Sequence, residues 1–291
     1  MVPNSVLFFS DSEETINLYR LPLINKLECR GWKVGKSWIS RIGFDFLEIY
    51  RAKLVVSSNM RANLVCLLFF QKNRVIILNG LGNLRRSRLL LRLFLLLIYV
   101  NRNHISLIAQ NYRDFRWLRK KDVRVKYIMG SGGESLPVGP FSSYSNWAVI
   151  TRDSKFEKQK QYITSFIESV KPSNLKIYGL SCKKDVSNYS AVSVGFVEPS
   201  EFFINSNSYF HAGGYSEGFP HSLAYAICSD CLIAVDRKQW IEFGLFRFDI
   251  SYEVKGMFFL FRPTQVLKDV VSSENVVIDY IEEINYRCQL L

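Results

Sequence analysis

Apolar and polar positions alternate between two periods along this chain. VLFFS, residues 6–10, is a short apolar run of the kind that forms a buried strand. Over residues 12–30 apolar side chains then recur at helical spacing: Ile16, Leu18, Tyr19, Leu21, Leu23, Ile24 and Leu27. Gly31 follows, as glycine often does just past a helix. The same reading predicts strands at 53–57 (KLVVS), 74–78 (RVIIL), 105–110 and 124–128. Helices are predicted between them at 61–70, 84–101 and 114–120. Residues 129–146, MGSGGESLPVGPFSSYSN, are rich in Gly, Ser and Pro, the texture of a boundary. Alternation then resumes. Strands are predicted at 147–151, 175–179, 191–196, 209–212 and 231–235, with helices at 155–170, 200–205 and 220–228. The tail, 274–291, carries a helical pattern suited to packing on either domain. No fixed-period repeat is present.

Repeated βα units predict an α/β fold with parallel sheets. Two Rossmann-like domains are expected, a short one at 1–135 and a second at 136–291 that includes the terminal helix, with a cleft between them. Ligands of open α/β sheets bind beyond the carboxyl ends of the strands, so the strand-to-helix turns are where chemistry is expected.

Composition fits a folded chain: 291 residues, 48% hydrophobic, with 22 Phe and 15 Tyr. Charge adds an asymmetry. The net +12 is split unevenly: residues 1–150 hold 23 Lys/Arg and 9 Asp/Glu, or +14, and the rest hold 15 and 17, or −2. Between Glu48 and Asp114 there is no acidic residue. The first half therefore suits an anionic partner, although a solvated basic face gives the same count. The first 30 residues lack the pattern of a secretory signal, and the longest mid-chain apolar run, 93–100, is too short to span a bilayer. A cytoplasmic protein with reduced thiols is the expectation.

Three turns carry candidate chemistry. GGYSEGFPHS, residues 213–222, joins a predicted strand to a predicted helix. Its glycines permit close backbone approach, and the helix start offers unpaired N–H groups to an anion. A capped turn with Glu217 serving the helix dipole fits the same spacing. TRDSKFEK, residues 151–158, places Arg152 and Lys158 around a helix start, where two cations can hold a diphosphate or simply be solvated. NGLGN, residues 79–83, ends a strand with Gly80 and Gly82, either a ligand-facing loop or a plain tight turn.

EGFPHSLAYAICSDCLIAV (217–235) resembles the donor-binding segment of family-4 glycosyltransferases: an EGFP-type turn, a helix with a small-residue end, then a hydrophobic strand. The upstream stretch GFVEPSEFFINSNSYFHAGG is similar to what precedes it in that family. WAVITRDSKFEKQ resembles the family's strand with Arg and Lys. NGLGN, LIAQN and YIMGSGGE resemble the subgroup that makes bacterial surface polysaccharides such as capsule and O-antigen. Several motifs in order are more specific than one.

The resemblance implies a GT-B-like fold and a retaining, metal-independent hexosyltransferase with no cofactor. Glu217 would contact the donor hexose as the catalytic residue. The segment Gly218, Phe219, Ser222 and Leu223 would hold the phosphates, and Arg152 and Lys158 would neutralise the departing diphosphate. Gly80 and Gly82 would line the acceptor side, and Gly130, Ser131 and Gly132 would lie near the hinge. The family's second glutamate, which bonds the ribose, is replaced here by Tyr225. The implied partners are a UDP- or GDP-sugar and a lipid-linked saccharide.

LRRSRLLLRLFLLLIYV (84–100) begins with Arg85, Arg86, Arg88 and Arg92 and ends apolar. It reads as a core helix with a basic start or as an element facing an anionic membrane surface, which would place the protein at the inner face of the plasma membrane. Cys228 and Cys231 have metal-like spacing but no second pair, so no metal site is expected. Two other readings compete: a non-catalytic glycosyltransferase-like partner in a polysaccharide assembly complex, and a nucleic-acid binder. The latter lacks any recognisable motif, and no nucleic-acid partner is expected.

Overall fold

The computed structural model describes residues 5–43, 45, 51–69, 73–139, 146–181, 191–213 and 218–290. The chain forms two compact units. The first takes the described residues up to Ser131, together with 218, 219 and the chain from Ser273. The second takes the described residues from Gly132 to Gly213 and Pro220–Ser272.

In the first unit, β1 (Ser5–Ser10), β2 (Lys33–Trp38), β3 (Leu54–Ser58), β4 (Arg74–Leu78), β5 (Ile105–Ala109) and β6 (Lys126–Tyr127) form a sheet of order β2-β1-β3-β4-β5-β6. Every pairing is parallel. The inner strands β1, β3, β4 and β5 are buried along nearly their whole length, as a doubly covered sheet requires. Val6, Phe8, Leu54, Val56, Val75 and Ile77 enter one core with α1 (Glu13–Cys29). Phe9, Val55, Ile76 and Leu78 enter the other, with α2 (Met60–Phe69) and α3 (Arg88–Val100). The N-cap Ser12 accepts the Thr15 N–H, which fixes where α1 starts, and Gly31 at φ 79 lies just past its end.

The terminal helix, counted above with the second domain, belongs to the first unit. As the last helix of the chain (Ser273–Gln289), it sets Val276, Val277, Tyr280, Ile281 and Ile284 into the α1 core. Apolar periodicity says that a helix needs a partner, but not which one.

The helix expected at 84–101 is broken by Ser87. A 3-10 turn covers Gly82–Arg86, and α3 starts only after Ser87, whose hydroxyl caps the Leu90 N–H. β2 escaped the hydrophobic pattern because it is an edge strand in which Ser37 alone is buried. The short helix α4 (Tyr112–Arg119) is capped by Asn111.

In the second unit, β7 (Asn146–Ile150), β8 (Asn174–Tyr178), β9 (Ala191–Gly195), β10 (Ser208–Phe210), β11 (Leu232–Asp236), β12 (Tyr252–Lys255) and β13 (Phe258–Phe261) form a sheet of order β12-β13-β11-β10-β7-β8-β9. The stretch from β11 to β9 is parallel, and β13 and β12 add an antiparallel hairpin at the β11 edge. Helix α5 (Asp153–Val170) buries Phe156, Ile163 and Phe166 against Trp147, Ile177 and Phe210, with the Phe166 and Phe210 rings stacked 4.0 Å apart. Helices α6 (His221–Cys228) and α7 (Arg237–Glu242) flank β11. α7 begins at a capping box of Asp236 and Gln239. Only a 3-10 turn, Pro199–Glu201, forms where a short helix was expected at 200–205. Helix α8 (Gln265–Val271) leads to Ser272, and the terminal helix is α9.

Candidate active site

In the second unit the chain runs from β7 outward to β8 and β9, then returns to β10 on the other side of β7. Strand order therefore reverses between β7 and β10. In open parallel sheets such a switch point leaves a crevice at the carboxyl ends. Two of the segments singled out in the sequence follow these strands in the chain: residues 151–158 leave β7, and Gly213 follows β10.

One residue fastens both turns. Gln159, fully buried on α5, donates from Nε2 to the Ala212 carbonyl at 3.0 Å, and its Oε1 accepts from the Thr151 hydroxyl. Lys155, one helical turn earlier on the same face, acts electrostatically on His211. Arg152, the extended N-cap residue of α5, and Lys158 are exposed. The structure thus adds Lys155 to the cations expected there, with the neutral amide of Gln159 beside it. Their spacing of four residues was legible, but the side that faces β10 was not.

His211 continues the β10 pairing by donating its N–H to the Ala234 carbonyl at 2.9 Å. Its Nδ1 lies 3.0 Å from the Tyr209 hydroxyl, which in turn lies 2.8 Å from Ser222 Oγ at the start of α6. Burial, with the Lys155 charge adding to it, pushes the imidazole down to about 3, so it is neutral at physiological pH. A hydrogen-bonded line therefore runs from β10 to the first turn of α6. Pro220, at the N-cap position, gives the first amides of that helix no side-chain cap. Leu223 is buried beneath them. At Gly213 a Cβ would lie 2.6 Å from Asp236 Oδ2 and 2.8 Å from Tyr162 Cε1, so a side chain there would force Asp236 or Tyr162 to shift.

Glu217 lies outside the described residues. Tyr225 is half-buried, with its ring 4.6 Å from that of His221. Burial raises its phenol, and nearby Glu134 and Cys228 push the same way, so the group is neutral. The thiols of Cys228 and Cys231 are raised to about 11 and about 12, mainly by burial, as structural thiols would be.

In the first unit the NGLG loop follows β4, and Gly80 and Gly82 have φ of 134° and 39°. Buried Asp114 anchors the loop. It accepts the Leu81 N–H at 2.7 Å and the Arg85 guanidinium at 2.6 Å. Arg85 is thereby paired with a buried carboxylate, with its guanidinium also over the Trp117 ring. Arg88 and Arg92 are exposed on α3; the side chain of Arg86 lies outside the described residues.

Asn79 donates to Asn59 Oδ1 at 2.6 Å and accepts from Arg20 at 3.3 Å. Arg20 also donates to Ser131, and Gln110 bonds the Gly130 carbonyl and the Tyr280 hydroxyl. Gly218 backs onto this loop, where a Cβ would lie 2.4 Å from the Asn79 carbonyl oxygen. Buried Phe219 packs on Gly130. Gly130 and Gly132 both have positive φ, and the division between the units falls at Ser131 and Gly132.

No protein-family model matches the sequence, and no curated protein does. Solved structures do match. The pneumococcal O-GlcNAc transferase GtfA, in complex with UDP and GlcNAc, aligns with a TM-score of 0.52 at 14% identity over 86% of this chain. Anabaena Alr3699/HepE aligns with a TM-score of 0.56 at 12% identity in complex with UDP, and 0.54 at 13% with UDP and glucose. The fold is GT-B-like. The chain spans 55% of the length of GtfA and 79% of HepE. At these identities the likeness is one of architecture.

Proposed function

We propose that the protein is a retaining, metal-independent glycosyltransferase that moves a hexose from a nucleotide sugar to a lipid-linked or oligosaccharide acceptor in surface polysaccharide synthesis. The observation that carries this reading is the switch point of the second unit. A basic helix start, a glycine-tight turn and the uncapped start of α6 all lie at the carboxyl ends of adjacent strands there. A nucleoside diphosphate is the ligand such a crevice suits. The UDP present in the GtfA and HepE structures supports UDP over GDP.

In this reading the diphosphate sits on the first amides of α6, beside Ser222 and Leu223 and the backbone of Gly218 and Phe219. Arg152, Lys155 and Lys158 neutralise the charge that develops as the sugar–phosphate bond breaks. Glu217 accepts hydrogen bonds from the hexose hydroxyls. The acceptor lies by Gly80 and Gly82, and residues 130–132 serve as the hinge. Helix α3 presents Leu89, Leu93 and Leu96 to solvent beside Arg88 and Arg92, an apolar face with a cationic margin that suits an anionic membrane. Among the described residues no helix is long and apolar enough to cross a membrane.

The test is thermal denaturation with UDP-, GDP- and CMP-sugars, with Glu217→Ala and Arg152→Ala as controls, followed by a turnover assay. A donor at 100 times its dissociation constant stabilises by about 2.7 kcal/mol. No stabilisation by any nucleotide sugar refutes the proposal. A second reading, a binding partner without catalysis, is favoured by Tyr225, which cannot grip a ribose diol at two points. Donor binding without turnover on any acceptor supports it.

A further inference from the structure

At the amino ends of β5 and β6, the edge of the first sheet opposite the NGLG loop, a concave pocket of about 310 Å³ opens. Its charged lining is Arg102, Arg119, Arg124, Lys126 and Arg287, against a single carboxylate, Glu283. Lys126 is matched by Asp279 and Glu282, at 3.1 and 3.5 Å. The arginines have no such partners among the described residues. Aromatic rings position two of them instead: Arg102 lies 4.2 Å over Tyr99, and Arg124 lies 4.8 Å over Tyr286. Stacking on a ring face leaves the in-plane N–H donors of a guanidinium available.

The fourth arginine is built into the floor. Arg287 on α9 is 4% exposed, donates to the Asn103 carbonyl, and keeps a buried Nε with no hydrogen-bond partner. Burial pulls its guanidinium down from the usual range, and Arg124 adds to this while Tyr286 and Glu283 oppose it. Like charges gathered in a concavity, one of them buried with an unused donor, are relieved by an anion.

We infer that this pocket binds a phosphate monoester through Arg102, Arg119, Arg124 and Arg287, at a site separate from the proposed donor and acceptor positions. A doubly charged group with three terminal oxygens matches several guanidinium forks better than a carboxylate does. The phosphate can belong to a soluble metabolite or to a lipid headgroup. Arg102, which reaches the pocket from the end of α3, stacks on exposed Tyr99 of that helix.

The experiment is calorimetric titration of the full chain with glycerol 3-phosphate at constant ionic strength, with UDP present to occupy the proposed donor site. The variant is the double substitution Arg102→Gln and Arg124→Gln, at exposed positions, with its fold checked by urea unfolding. Saturable binding is expected in the parent, weakened about tenfold or more in the variant. Sedimentation with phosphatidylcholine vesicles, with and without phosphatidic acid, distinguishes the sources. Loss of phosphatidic-acid-dependent binding in the variant assigns the site to a headgroup; unchanged vesicle binding with weakened titration assigns it to a soluble ester. Equal titration of both proteins, or no saturable heat together with unchanged vesicle binding, overturns the inference. Neither result depends on whether UDP binds, so failure of the proposed function remains distinguishable.

Discussion

The imidazole of His211 makes the second unit acid-sensitive in a calculable way. Folded, it is buried and takes up a proton only near pH 3; unfolded, it does so at the ordinary 6.5. Above pH 6.5 neither state is protonated there, and the residue contributes no pH dependence. As pH falls from 6.5 towards 3 the unfolded chain gains a proton that the folded one excludes, so stability declines by about 1.4 kcal/mol per pH unit. At about pH 5 the accumulated loss is ~2 kcal/mol, set by the gap between pH 5 and the unfolded value. His211→Gln removes this loss but also weakens the Tyr209–Ser222 line, at a cost of about 1–2 kcal/mol. The variant is therefore expected to be less stable than the parent near pH 7.5 and nearly equal to it near pH 5. Urea unfolding of both proteins at the two pH values measures this. A stability gap that stays constant across that range means that His211 is not buried neutral, and the account of the switch point fails with it.

Asp114→Ala removes the acceptor of the Leu81 N–H and strands Arg85, costing about 3 kcal/mol, with Asp114→Asn losing less; equal effects in thermal unfolding would refute the charge-assisted anchor. Tyr225→Glu restores a two-point ribose acceptor and is expected to tighten UDP binding about tenfold by calorimetry, provided nearby Glu134 is also neutralised by Glu134→Gln. No gain in the double variant would show that the ribose does not lie there. Paired Leu93→Ser and Leu96→Ser substitutions remove exposed apolar surface from α3 and should lower vesicle sedimentation about tenfold or more while leaving unfolding nearly unchanged; undiminished sedimentation would exclude α3 as the contact.

How far the sequence was legible depends on what encoded each feature. Buried parallel strands announce themselves, because both faces must be apolar; RVIIL at 74–78 coincides with β4. The edge strands β2 and β12 do not, since KVGKSW and YEVK bury little. The glycine-rich turn at 79–83 was visible as a turn, and the strand order that brings Ala212 and Thr151 to the same Gln159 side chain was not. That order depends on pairings between residues far apart in sequence, such as Ser208 with Trp147. Lys155 and Gln159 were hidden for a related reason: a helix pattern shows which face is apolar, and the polar atoms that will meet across a crevice follow only once β10 lies beside β7. Arg85 was legible as the basic start of a core helix or as a membrane-facing cation, and its pairing with a buried carboxylate 29 positions later depends on the fold.

The position of α9 has a consequence for how the protein is made. The α1 core is completed by Val276, Val277, Tyr280, Ile281 and Ile284. The first unit emerges from the ribosome early, yet this part of its interior is supplied only after the whole second unit has been synthesised. At about 5–20 residues per second, the roughly 140 intervening residues impose a wait of about 7–30 s. During that interval Ile16, Leu23 and Leu27 lack the apolar cover they have in the finished fold. Nascent chains stalled before residue 273 should therefore be the species that chaperones hold, and the second unit should mature first although it is translated later.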